Sequence, residues 1–316
     1  MKLMDHLSWN DVTDENLNFY KAIGVDCLLI AVPPEMADGQ DKTEEFKRMK
    51  AFVEAHGLEL YVLHSGSLPR ERIVYGLPGR EEQLERWCTV LRAIGAAGVP
   101  ATATTFYAIS HFRTSSTKGR GGATYSTFDY AEFLQNPPVY PGREITEERL
   151  WENLAYFLQR VIPVAEEAGV RIALHPDDPP ISEPLGGAAR IVVSVANYQR
   201  IFDLMPSDAN GMLFCQGCVA EMGANVYETI RYMGVRNKIV FVHFRNIRGR
   251  SHTFQEVFID EGDVDMVRAM ETYRAVEFNG PFMMDHTPGV PHPSGAWVGR
   301  AYANGYIRAL MQAVYR

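Results

Sequence analysis

Along this chain, short apolar and β-branched runs that end in polar residues alternate with longer stretches whose apolar positions recur at helical spacing. Continuous apolar runs of that length read as buried strands, and the 3.6-residue period reads as helices with one face on a core. The strand candidates are 3–9, 27–32, 58–64, 101–107, 171–175, 212–215, 239–243 and 281–285. Helical spacing runs through 43–56, 81–97, 146–168, 193–205, 226–233, 264–273 and 298–315. Gly24, Gly57, Gly98 and Gly169 follow helical stretches at the position that favours a left-handed cap, so they punctuate the returns to the next strand. Strands alternating with helices predict parallel βα units, and about eight of them predict an α/β fold closed into a single (β/α)8 TIM barrel. One domain, 1–316, is expected, with an extended loop around 110–143, rich in Gly, Ser, Thr, Tyr and Pro, over the active-site mouth.

Composition narrows the class. At 316 residues and 46% hydrophobic, the chain is large enough for one barrel with a substantial core. Its net charge of -8 and the lack of any Lys/Arg-rich run exclude a nucleic-acid footprint. The longest apolar runs fall well short of the ~20 residues that cross a bilayer, so no membrane partner is expected. Residues 1–10 contain Asp5, His6 and Trp9 and lack an apolar signal core, which makes the cytoplasm the expected location. Four cysteines, at 27, 88, 215 and 218, do not make a disulfide framework.

In such a barrel the active site lies at the carboxyl ends of the strands, so polar residues that close apolar strands carry weight. The fifth to eighth strands close on His175, Cys215, His243 and Asp285. Singly, each has an ordinary explanation: a satisfied histidine, a core cysteine, a carboxylate capping the next helix. Together, on four consecutive strands, two imidazoles, a thiolate and a carboxylate form a ligand set for one divalent first-row metal ion. Nothing comparable is read at the first four strand ends. Cys215-Gln-Gly-Cys218 also has redox spacing, but that motif belongs at a helix start in a smaller fold, so Cys218 is read as a passenger.

His175-Pro-Asp-Asp-Pro-Pro180, with Arg190-Ile-Val after it, closely resembles the signature of the mannonate dehydratase family. The resemblance continues through Asn210-Gly, Phe214-Cys-Gln-Gly, Val242-His-Phe-Arg-Asn246, Thr253-Phe-Gln-Glu256, Gly262-Asp-Val-Asp-Met266 and Asp285-His286. It is nearly continuous from Trp151 onward and looser upstream, where Tyr107 and Arg113-Thr114 resemble a segment after the fourth strand.

The resemblance implies a xylose isomerase-like TIM barrel acting as a metal-dependent hydro-lyase that takes D-mannonate to 2-dehydro-3-deoxy-D-gluconate, or acts on a related aldonate. It implies His175, Cys215, His243 and Asp285 as ligands and His286 as the catalytic histidine. Mn2+ or Fe2+ is the implied ion, and the donor set also suits Zn2+ or Ni2+. The implied partner is a small-molecule sugar acid, and a homo-oligomer is left open. Arg245 is read as catalytic or, with Arg190 and Arg113, as a fork for the substrate carboxylate, against surface ion pairing for each. Asp177, Asp178 and Tyr107 join them as substrate-binding candidates, the two aspartates reading equally as loop anchors.

Three departures bear on the substrate. Thr287 and Pro288 follow the Asp-His pair where the family has Gly and a polar residue. A family tyrosine that shares the acid/base work falls on Gly295, leaving Tyr107, Tyr125, His292 or Tyr302 to replace it. The insertion after the fourth strand is also shorter. Two alternatives therefore stand beside the dehydratase: a metal-dependent sugar isomerase or epimerase of the xylose isomerase-like group, and a metal-retaining paralogue without turnover.

Overall fold

The computed structural model describes residues 1–138 and 140–315. Val139, within the loop expected over 110–143, and Arg316, at the end of the expected domain, lie outside the described residues. Eight parallel strands close a barrel: β1 (Lys2–Ser8), β2 (Cys27–Ala31), β3 (Glu59–His64), β4 (Ala101–Thr104), β5 (Arg171–Leu174), β6 (Asn210–Cys215), β7 (Ile239–His243) and β8 (Pro281–Met283). Closure is made by β8 pairing with β1, Lys2 opposite Pro281 and Met4 opposite Met283. The expected strands are all present, with ends shifted by at most a few residues.

The helices form where local sequence supplies both caps and an apolar face. Thr146 accepts the amide of Arg149 and opens the helix Glu147–Ala168, which ends on Gly169 at φ 66°. Ser194, Asn225 and Asp265 cap Val195–Leu204, Val226–Gly234 and Met266–Ala275 in the same way. Such caps satisfy amides that the first turn would otherwise leave unpaired. Gly24, Gly57 and Gly98 also take positive φ at their returns. A helix at Asp14–Ala22 and short ones at Glu71–Tyr75, Tyr130–Gln135 and Gln216–Glu221 were not expected from the periodicity.

Two apolar layers result. One lies between the strands and the helices. The other fills the barrel itself and includes Met4, Leu29, Val62, Ala103, Ala173, Leu213, Phe241 and Met283. Side chains alternate along a strand, so the residue two positions further on points inward as well. Those residues are His6, Ala31, His64, Thr105, His175, Cys215, His243 and Asp285, and all but the buried Cys215 line one open cavity.

The stretch after β4 is not only loop. Strands Ser116–Lys118 and Thr124–Asp129 join Thr253–Glu256 and Ile247–Arg250, from beyond β7, in a four-stranded antiparallel sheet. Phe128 opposite Phe254 sets the register between the two excursions. Together they deliver Arg113, Ser126 and Glu256 to the cavity wall. No helix among the described residues is long and apolar enough to cross a membrane.

Candidate functional site

The cavity at the strand ends has a volume of about 610 Å³, ample for a sugar acid. Six of the chain's nine histidines line it: His6, His64, His111, His175, His243 and His286.

On one side the strand ends converge. Ligand atoms of Cys215, His243 and Asp285 lie within 4.8 Å of one another, and so do those of His175, Cys215 and Cys218. The rings of His175 and His243 are 5.3 Å apart, centre to centre. His175 Nδ1 sits 2.6 Å from the Pro176 carbonyl, which leaves Nε2 for the cluster. Asp285 leaves its strand with φ 69°, a conformation that non-glycine residues rarely adopt, and this turn puts Oδ1 3.3 Å from His243 Nδ1.

The cluster fits a cation. Neither ring nitrogen of the buried His243 has a partner in hydrogen-bond geometry, Nδ1 meeting Asp285 only as an ion pair, although a buried polar atom is normally satisfied. Burial opposes ionisation of Cys215, yet the Cys218 thiol, the Arg245 charge and the two imidazoles outweigh it and hold the thiol well below its ordinary range. Asp285 is likewise held well below the usual carboxylate range, His243 and His286 outweighing burial. A thiolate, a carboxylate and two imidazoles are therefore already in ligand form or poised to reach it.

Beneath this cluster lies a buried charge network. Arg245, 4% exposed, reaches Glu221 Oε1 at 2.9 Å, Asp285 Oδ2 at 3.1 Å, and Asp178 Oδ2 and Glu256 Oε1 at 3.2 Å. Its Nη2 also lies 3.3 Å from Cys218 Sγ. Arg113 grips Asp178 with both arms of its fork at 2.7 Å and pairs with Glu256 as well. Asp178 ionises well below its usual range because Arg113 and Arg245 outweigh its burial. Glu221, fully buried and facing Asp178, is pushed well above it.

The other expected site residues divide by location. His286 projects into the cavity, side chain 45% exposed, with Nε2 3.4 Å from both Glu256 Oε1 and Asp285 Oδ2. Tyr107 also lines the cavity. Asp177 does not: it is buried, and Oδ2 accepts the amides of Ile191 and Val192, tying down the loop after β5. Arg190 is buried too, its guanidinium spent on the carbonyls of Pro179 and Asp178 at 3.1 and 2.8 Å. Arg245 makes buried ion pairs and Arg113 partly buried ones, rather than the surface pairs that the sequence also allowed.

Of the four stand-ins for the missing tyrosine, only Tyr107 lines the cavity. Tyr125 donates to Glu261, His292 accepts the Ser294 amide, and Tyr302 packs beside Arg120 and Phe258. At Gly295 itself an added Cβ would overlap the Val290 carbonyl oxygen, so no side chain fits there.

Residues absent from the expectation are His6, His64, His111, Glu221 and Glu256. His64 closes β3 as His175 follows β5, so the same strand-end signal was present for it.

Comparison with known proteins shows the family. The family model described as D-mannonate dehydratase (UxuA) matches residues 138–316. "Mannonate dehydratase 2" of Halalkalibacterium halodurans is 29% identical over 98% of this chain and 98% of its own length. "Mannonate dehydratase" of Streptococcus pneumoniae is 32% identical over 85% of this chain and 83% of its own. The crystal structure of mannonate dehydratase from Streptococcus suis superimposes with a TM-score of 0.87 at 29% identity, covering 99% of this chain and 95% of that one. A D-psicose 3-epimerase from Clostridium cellulolyticum shares the fold at a TM-score of 0.66 and 14% identity. By the family match and the near full-length relatives, this chain belongs to the mannonate dehydratase family of hydro-lyases.

Proposed function

We propose that this protein removes water from an aldonic acid, D-mannonate first, giving 2-dehydro-3-deoxy-D-gluconate, with one divalent ion, Mn2+ or Fe2+, held by His175, Cys215, His243 and Asp285. The observation that carries the proposal is that Cys215 joins two tight clusters, one with His243 and Asp285 and one with His175 and Cys218, beside an open cavity in a member of this family. When bound, the ion would offset the negative charge that builds on the substrate carboxylate as the neighbouring proton leaves.

The chain's own groups then have definite tasks. His286, the one imidazole set between Glu256 and Asp285 and open to the cavity, is assigned proton transfer with the substrate. Tyr107 is assigned the second proton transfer, because it is the tyrosine that borders the cavity where the family residue is replaced by Gly295. Asp178 and Arg113 form the adjoining wall, and Arg245 acts through Asp285 and Glu256 as a positioning residue. Asp177 and Arg190 act one step further out, fixing the loop that carries Asp178.

The test is incubation of manganese- or iron-loaded protein with D-mannonate and related aldonates, with assay for a 2-keto-3-deoxy acid. Its formation is expected. Solvent deuterium entering recovered substrate without that product would replace this reading with an epimerase, which needs proton transfer but no departing hydroxyl.

A further inference from the structure

We infer that His64 is a substrate-binding residue whose Nε2–H is a fixed, uncharged hydrogen-bond donor to a hydroxyl oxygen of the sugar-acid chain, an inference that rests on the sugar-acid reading above. His64 closes β3 in the cavity-facing layer, in register with Ala31 on one side and Ala103 on the other. Ala31 lines the cavity beside it, and β4 contributes Thr105, two residues past Ala103, to the wall.

The ring is locked and its tautomer set. The Gly66 amide donates to His64 Nδ1 at 3.2 Å, which makes Nδ1 the unprotonated acceptor and puts the ring proton on Nε2. The ring lies against Gly66 so closely that an added Cβ there would overlap Cε1. Burial and the nearby His175, His243 and Arg70 push its pKa down to about 4, so the imidazole stays neutral at physiological pH.

The surrounding charges say what such a donor reads. Arg113, which lines the cavity, is taken by Asp178 and Glu256, and Arg245 behind it by four carboxyl groups. Arg70, the cation beside His64, is turned to the Gly66 carbonyl and the Thr105 hydroxyl, and Thr105 and Tyr107 line the same cavity, groups that match hydroxyls. A neutral N–H supplies direction without charge, which suits an uncharged acceptor and penalises an analogue that lacks it.

The test combines nitrogen NMR of histidine-labelled, zinc-loaded protein with kinetics. For His64 the spectra should show a bare Nδ1 and a protonated Nε2 from about pH 8 down to about pH 5, with the Nε2–H shifting when D-mannonate is added. His64→Ala should raise KM roughly tenfold with kcat within about twofold and with metal content kept. His64→Gln, which keeps an N–H donor, should recover part of that loss. Gly66→Ala should reproduce it by displacing the ring. Among deoxy-aldonates, the one lacking the bonded hydroxyl should bind wild type and His64→Ala alike. A proton on Nδ1, or an unchanged KM in His64→Ala, overturns the inference. Conversion of D-mannonate without any shift at His64 overturns it alone, whereas a shift on binding without a keto-deoxy product overturns only the dehydratase reading.

Discussion

Arg245 Nε lies 3.1 Å from Asp285 Oδ2, and that pair ties the residue two past the end of β7 to the residue two past the end of β8. Asp285 needs the tie. Its left-handed backbone costs about 1–3 kcal/mol and persists only where its surroundings hold it. Arg245 faces it from below while the same guanidinium balances Glu221, Glu256 and Asp178.

Arg245→Ala should therefore cost more than a surface ion pair would. It takes away the cation that the ionised Asp178 and Asp285 face inside the protein, and removing one partner of a buried pair costs about 3–5 kcal/mol. The loss should appear as a lower midpoint in denaturant unfolding of the metal-free protein. Arg245→Lys should recover little, because a single ammonium cannot face four carboxyl groups as a planar fork does. An unchanged midpoint in Arg245→Ala would show that the network is not holding the fold.

Removing a ligand and removing the proton-transfer group should have separable effects. Cys215→Ser and His243→Ala should each lower bound metal in elemental analysis of the purified protein. His286→Ala should abolish turnover with metal retained, since His286 contacts the cluster only through Asp285. Metal loss in His286→Ala would reassign it as a group that orients a ligand. Cys218→Ser should keep its metal, because a hydroxyl can still donate to the Cys215 sulfur.

How far the sequence reached follows from the range of the interactions involved. The βα alternation is local, so the barrel and the strand ends that carry His175, Cys215, His243 and Asp285 were legible from periodicity. His64 was legible by the same rule and was passed over because its neighbours on β2 and β4 bring no second metal donor. The small sheet was not legible: Phe128 and Phe254 pair across more than a hundred residues, and nothing in either short strand announces the other. Arg190 and Asp177 share sequence motifs with site residues, yet their side chains satisfy backbone groups of the same loop. Motif membership does not separate such an anchor from a residue that touches substrate.

Tyr107→Phe should lower kcat by roughly 10²-fold while leaving metal content unchanged, the scale of losing one proton-transfer group. Gly295→Ala tests the same idea from the other side. Its methyl meets the Val290 carbonyl at the start of the last helix, so it should destabilise the protein by about 1–3 kcal/mol and restore nothing. Full activity in Tyr107→Phe would move the second proton transfer to another cavity group.

The last prediction concerns pH. In the metal-free protein burial works against a charged His243, but Asp285 and the Cys215 thiolate outweigh it and raise its pKa to about 9. A raised histidine pKa stabilises the fold fully below the unfolded value of about 6.5, and that contribution is lost as pH rises through about 9. Metal binding runs the other way, since a ligand imidazole must give up its proton. Between about pH 6.5 and about pH 9, affinity for the ion should climb about tenfold per pH unit, with one proton released per ion bound. Calorimetric titrations in buffers of different ionisation enthalpy would count that proton. His243→Ala should bind far more weakly and lose this pH slope, and the same slope in that variant would show that the proton comes from another ligand.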